Sequence, residues 1–472
     1  MSRYRKLAIN TLIYGIGNIT SKLISIIMLP FFTRYLAQSE YGIIELLTTT
    51  LLIVMPLFSG NIVNALVRFT LDKDSDQDVI LSNSFFVGVF GWVIMIFFYP
   101  LLSLFSFIKD FTLLFYIIFL LQVVEAVLKQ FSRSINLNKV YMFSDILYAT
   151  IFAVSGIVFI MILGLKVKGY LFAMIMGWIF NIFYIAYKTR FINRFKLKYI
   201  NKKIIKEMLV FSLPLIPNSI FWWIIGMSNR YFVLYYIGLS ASGLYSIANK
   251  IPTLITFLHR IFFTSWEISA IEEYDSKDKD VFYSKIFNLF YFFMINVVSC
   301  YISVNKFIMR FLVSPSFYSS WKYAPILVFA TIFFSFATFL GTNYVASKET
   351  KKALTTTLLA SLINIFLNFV MIPSYGLYGA SFSLLISYFF LWVIRVFDTK
   401  RYIKIRYPFF RIVVSLIIVS LQLYLHYILP DKDFLVGAIS LIFLIFISWS
   451  YFYEFVSFIW RKAKGFFYKI LI

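Results

Sequence analysis

Eight ionisable residues stand where their types and spacing could do chemistry. Lys22, Arg34, Arg68, Arg230, Lys250 and Arg260 lie within or at the ends of long apolar runs, and so do Glu45 and Glu125. A charge at the centre of a membrane helix costs roughly 2.5–3.5 kcal/mol on insertion scales, so each should face a wet cavity, a partner or an anion. Guanidinium offers a planar fork to phosphate oxygens, and ammonium offers a point charge. Gathered together, the six cations would form an inward-facing cationic cleft suited to a diphosphate. The competing account is snorkelling of long side chains to the interface, which fits Arg34, Arg68 and Arg260 best.

The carboxylates are scarcer. Glu45 could carry a coupling proton or bind a cation, or it could be a solvated interfacial group. Glu125 is a second coupling candidate, but it precedes Lys129 by one helical turn, so a local ion pair accounts for it as well. Asp145 is a third acid at the start of an apolar run. Asn364 and Asn368 share a helical face, a spacing that joins helices or lines a cavity. Asn218 follows Pro214 and Pro217 in another such stretch. Trp222 and Trp223 could stack on a sugar ring or serve as ordinary packing aromatics.

Several chemistries leave no trace. There is no GxxxxGK[ST] loop and no HExxH, and the chain holds only His259 and His426. No metal and no cofactor is expected, and neither is an enzyme. Cys300 is the single cysteine, which excludes an intrachain disulfide; within its apolar run it is expected to be a buried thiol.

The elements that must position these residues follow from composition. The chain is 61% hydrophobic, 21% aromatic and 14% charged, with a mean hydropathy of +0.85. A water-soluble domain of this length needs a more polar exterior. The apolar runs are mostly about 20 to 28 residues long, the length of a helix crossing a bilayer, and they lack the period-two alternation of barrel strands. The expectation is an all-α integral membrane protein of about 14 transmembrane helices. The first run is too long for a signal peptide and is read as a retained span.

The net charge of +23 follows topology. With the N-terminus inside, Lys and Arg favour the inner loops and ends by about four to one, which places both termini in the cytoplasm. The charge is therefore assigned to orientation and anionic lipid, not to nucleic acid. The most basic stretch runs from Lys188 to Lys206 and is expected to lie along the membrane surface as an interfacial helix.

A weak repeat divides the chain. Asn18 precedes Gly42 of SEYGII at nearly the spacing by which Asn218 precedes Gly243 of SASGLY, and GLKVKGYLFA from Gly164 echoes YGLYGASFS from Tyr375. The expected organisation is an N-terminal six-helix lobe at 1-191, a basic cytoplasmic connector at 192-206, a C-terminal six-helix lobe at 207-398, and two further helices with a basic tail at 399-472.

The segment NIFLNFVMIPSYGLYGA, from Asn364 to Ala380, resembles a motif of polysaccharide transporters in the multidrug/oligosaccharidyl-lipid/polysaccharide (MOP) exporter superfamily. SLPLIPN, NRYF and SGLYSIANK resemble the start of the second lobe in the O-antigen flippase family called Wzx, and SKLISIIMLPFFTRYLAQSEYGIIELL is similar to the start of the first. The resemblance implies two six-helix bundles in a V-shaped arrangement plus two C-terminal helices. It also implies a flippase that carries an undecaprenyl-diphosphate-linked oligosaccharide, of O-antigen or capsule type, to the outer leaflet of the bacterial inner membrane by alternating access. Its partners would be that lipid-linked substrate, the bilayer and a polysaccharide polymerase, and it would work as a monomer. Many relatives carry Asp-Arg where this chain has Asn229-Arg230, so an acidic role does not transfer to that position. The alternatives are a multidrug or cation exporter of the same superfamily, which a basic cavity fits poorly, and a membrane polymerase or glycosyltransferase, which would need a long outer loop with catalytic residues.

Overall fold

The computed structural model describes residues 20–72, 75–454 and 457. Arg3, Arg5, Lys6, Asn18, Lys73 and the basic C-terminal tail lie outside the described residues. Among the described residues there is no strand, and ten helices are long and apolar enough to cross a membrane. A fully helical backbone follows from the solvent, because hydrocarbon offers no partner for a free peptide group.

The helices gather into two compact units, Met1–Ser246 with Phe311–Phe317, and Ile247–Arg310 with Tyr318–Ile472. After a helical segment at 20–27, the first unit contains α1 (Leu29–Tyr35), α2 (Gln38–Phe58), α3 (Ile62–Thr70), α4 (Gln77–Phe97), α5 (Thr112–Ser134), α6 (Asn138–Gly156) and α7 (Lys166–Thr189). It continues through α8 (Lys202–Ser212), α9 (Ile216–Met227) and α10 (Asn229–Tyr236) into α11 (Leu239–Ala248). Local chemistry sets the starts of two of these helices. The Asp76 carboxylate accepts from the amides of Asp78 and Val79 to open α4, and the Asn201 side chain accepts from the Lys203 amide to open α8.

The basic stretch from Lys188 to Lys206 falls in the first unit, and beyond the end of α7 at Thr189 it is not the single interfacial helix expected. It consists of one helical turn at Phe191–Arg194 and a 3-10 turn at Leu197–Tyr199, while Lys202 already begins α8. The reason is specific anchoring. The Asn83 side chain donates to the Tyr199 carbonyl at 2.9 Å and accepts from the Asn201 amide at 2.8 Å, and Arg194 pairs with Asp78 at 2.9 Å. These bonds hold the backbone to the start of α4 and favour turns over a continuous helix.

The second unit contains α12 (Lys250–Glu272), most of α13 (Lys279–Leu312), α14 (Ala324–Ala346), α15 (Thr350–Thr399), α16 (Phe409–Ile428) and α17 (Asp433–Ile447). α15 is a hairpin. Gly376 has φ 58° and ψ −133°, a combination that favours glycine. Asn364 and Ser387, 23 residues apart, hydrogen-bond at 3.1 Å, whereas a straight helix would separate them by roughly 35 Å. Near the open end Arg395 reaches back to Thr356 at 3.3 Å and Thr357 at 3.1 Å. The segment is thus two antiparallel arms.

Cys300 corrects an expectation, because the thiol is exposed on α13. An apolar run does not reveal burial in a membrane protein, since the outward face is apolar too.

Candidate functional site

Of the eight candidate ionisable residues, the structure joins two in one cluster. Glu45 lies on α2 and Arg230 at the start of α10; they are 7% and 6% exposed, with Nε and Oε2 3.9 Å apart. The guanidinium also donates from Nε to Ser246 Oγ on α11 at 3.1 Å, and from one terminal nitrogen to the Gly226 carbonyl at 3.4 Å and Met227 Sδ at 3.0 Å. Tyr41, one turn before Glu45, hydrogen-bonds the carboxylate. A buried cation with one carboxylate and several neutral acceptors is electrically balanced, which makes burial tolerable.

The same helices meet at two glycines. A methyl group on Gly42 would run into the Leu239 carbonyl oxygen and one on Gly243 into the Gln38 carbonyl oxygen, so only hydrogen at both positions permits this backbone approach. One turn further along α2, Trp223 of α9 donates its indole N–H to the Thr49 carbonyl at 2.9 Å. Its ring lies against Tyr231 at 5.4 Å, and the Tyr231 hydroxyl bonds Thr50 Oγ1 at 2.7 Å. Trp223 is thus a packing residue in this arrangement, with its polar edge satisfied.

Glu125 lies in a second cluster of the first unit. It is 6% exposed, accepts from Asn181 of α7 at 3.1 Å and sits 3.7 Å from Lys129, which also pairs with Asp145 of α6. The local Glu125–Lys129 pair is therefore present, and Asp145 and Asn181 extend it across three helices. Asn364 and Asn368 are buried on α15, where Asn368 donates to the Asn364 side-chain oxygen at 3.1 Å.

Lys22, Arg34, Arg68 and Arg260 are exposed, Lys250 at the start of α12 is half-buried, and so is Asn218 near the start of α9. Arg68 pairs with Asp72 one turn later.

Sequence reasoning missed two buried polar groups in the second unit. In one, Asp433 at the start of α17 meets Lys306 of α13 at 2.9 Å and His426 Nδ1 of α16 at 3.0 Å, with the Lys306 ammonium 4.6 Å from the Trp321 ring centre. This cluster fastens the last two helices to α13, and Asp433 and His426 lie outside the conventional motifs. In the other, Arg395 donates to the Ala337 carbonyl at 2.7 Å and to both hairpin threonines. Its position within an apolar run was the available signal.

The helical fold is similar to those of solved transporters, MOP-superfamily members among them. A lipid II flippase MurJ in an inward closed conformation is similar with a TM-score of 0.71 at 16% identity, over 94% of this chain and 99% of that one. An inward-facing multidrug resistance MATE family transporter of the MOP superfamily is similar with a TM-score of 0.67 at 15% identity, over 86% and 98%. A MOP superfamily transporter from Pyrococcus furiosus is similar with a TM-score of 0.60 at 13% identity, over 83% and 94%. No curated protein matches the chain. The chain belongs to the polysaccharide biosynthesis protein family, whose model matches residues 7–266.

Proposed function

We propose that this protein is a flippase of the Wzx type, moving an undecaprenyl-diphosphate-linked oligosaccharide repeat unit from the inner to the outer leaflet of the bacterial inner membrane. The observation that carries the proposal is membership of the polysaccharide biosynthesis family in a chain whose in-span candidates are mostly cations. The structurally similar MurJ is named a lipid II flippase, which supports flipping of a lipid as the work of this chain. A multidrug exporter that carries cations is the poorer fit, because Lys22, Arg34, Arg68, Arg230, Lys250 and Arg260 outnumber Glu45 and Glu125. For the Pyrococcus furiosus transporter, reversed polarity of the binding pocket suggests a different function; the sign of charge is a fair discriminator here as well.

The mechanism is alternating access without bond making or breaking, with both termini cytoplasmic, a monomer as the working unit and a polysaccharide polymerase downstream. The six cations are the proposed contacts to diphosphate and proximal sugar. Glu45 occupies the Arg230 guanidinium at 3.9 Å, so phosphate oxygens would take its place on the fork, releasing a carboxylate able to accept a proton or cation. Glu125, held by Lys129 and Asn181, is the second coupling candidate.

The test is deletion in the native host followed by tracking of the undecaprenyl-linked unit. Accumulation on the inner leaflet is expected; normal arrival outside, in a strain without a redundant flippase, rejects the proposal. At residue level, Lys22→Ala and Lys250→Ala should each reduce transport at normal protein abundance. Unchanged transport removes that residue from the substrate path.

A further inference from the structure

An apolar groove lies in the first unit between α4 and α8, apart from the Glu45–Arg230 cluster. It has a volume of about 480 Å³ and is lined by Phe86, Val87 and Phe90 of α4, by Ile205, Leu209 and Val210 of α8, and by Leu213, with Lys202 and Lys206 completing the wall. Phe90 and Val210 are 53% and 66% exposed. In an aqueous setting that exposure would be a liability; in a bilayer it marks a surface for hydrocarbon.

Two features separate this groove from the ordinary lipid-facing surface. The first is its concavity and size. From Lys202 to Leu213 is 11 helical steps, or roughly 16 Å of axis. That length matches one leaflet of the roughly 30 Å hydrocarbon core, the reach of one phospholipid acyl chain, and is short for a 55-carbon polyprenyl tail.

The second is charge placed at one end. Lys202 and Lys206 are one helical turn apart, so they share a face of α8, and both are exposed. They stand at the N-terminal end of α8, beside the basic connector that Asn83 fastens to α4. α8 carries three lysines, Lys202, Lys203 and Lys206, against one acid, Glu207. Asp78, the acid near the start of α4, is engaged by Arg194. Hydrocarbon in the groove would therefore lead directly to a pair of ammonium groups at the membrane surface.

We propose that the groove between α4 and α8 binds one anionic glycerophospholipid, its acyl chain along Phe86, Phe90, Leu209 and Leu213 and its phosphate at Lys202 and Lys206. The bound lipid would fill a defect between the first-unit helices and fix the start of α8 at the depth of the headgroups. This site is independent of the transport proposal, since it holds a bulk lipid and not the cargo.

The experiment is native mass spectrometry of the purified full chain exchanged into micelles doped equally with phosphatidylglycerol and phosphatidylcholine of identical acyl chains. The first retained lipid should be phosphatidylglycerol. Lys202→Ala/Lys206→Ala should lower the preference by roughly tenfold to thirtyfold, as loss of two lysines from an anionic contact implies. Val210→Trp, at an exposed position where folding is not at stake, should reduce retention of both lipids by filling the groove. Lys351→Ala/Lys352→Ala, a lysine pair in the second unit, should change neither. An unchanged preference in the Lys202/Lys206 variant, an equal loss in the Lys351/Lys352 variant, or full retention by Val210→Trp would each overturn the proposal. So would displacement of phosphatidylglycerol by equimolar undecaprenyl phosphate, which would make the groove a station for the cargo.

Discussion

Replacing Glu45 by Gln would keep the shape of the side chain and strand the Arg230 charge. At 3.9 Å and an effective dielectric constant of about 20, the attraction lost is about 4 kcal/mol. Arg230 keeps its bonds to Ser246 Oγ and the Gly226 carbonyl, and relaxation towards them should return part of it. The expected cost of Glu45→Gln is therefore about 2–4 kcal/mol, close to the usual penalty for breaking a buried pair. Arg230→Gln alone should cost a similar amount by leaving the carboxylate uncompensated. The double variant carries no buried charge and should be less destabilised than the sum of the two. Unfolding titrations of the purified protein in mixed dodecyl sulfate micelles give the four free energies of the cycle. A coupling of about 2 kcal/mol or more is expected. Strict additivity, within about 0.5 kcal/mol, would mean that the two charges do not sense each other, and the proposed exchange of Glu45 for phosphate oxygens on Arg230 would fall with it.

Three further outcomes follow from geometry. Gly243→Ala places a methyl group against the Gln38 carbonyl oxygen and should destabilise by about 1–3 kcal/mol, as overpacking does; no change in the same titration would show that α2 and α11 separate freely. Gly376→Ala imposes a side chain at φ 58°, ψ −133° and should cost about 1–3 kcal/mol, measured as a loss of thermal stability in detergent. Asn364→Leu removes the bond to Ser387 across the α15 hairpin and should cost about 0.6–1.7 kcal/mol, with Ser387→Ala in the same background adding little.

Much of the fold was legible because hydrocarbon imposes a simple rule on the chain. Long apolar runs had to be helices, and the break in the longest of them falls at a glycine, Gly376, three residues after Pro373. Burial was harder to see. Cys300 and Asn305 lie on the same apolar helix, yet the thiol is exposed and the asparagine is fully buried, because outward and inward faces differ little in polarity. The connector misled for a different reason. Its composition suits a surface helix, but a neutral side chain, Asn83, decides its backbone through two hydrogen bonds. Asp433, His426 and Lys306 come together from three helices, and nothing in their linear spacing announces that meeting.

The repeat gains physical content at Arg230. Glu45 follows Gly42 by three residues and Ser246 follows Gly243 by three, so the two partners of the Arg230 Nε occupy matching positions after the matching glycines. The two echoing segments, α2 and α11, thus touch through their glycines, and one guanidinium grips both a single turn away. A movement that parts the glycines must also stretch the bond to Ser246 or the pair with Glu45, since Arg230 is carried by a third helix. The 3.1 Å bond to Ser246 is the short-ranged contact of the two and is lost over a small displacement, whereas the attraction to Glu45 at 3.9 Å weakens gradually with distance. On the proposed mechanism, helix separation and loosening of the Arg230 grip are coupled, and an anion that takes the guanidinium would favour the parted arrangement.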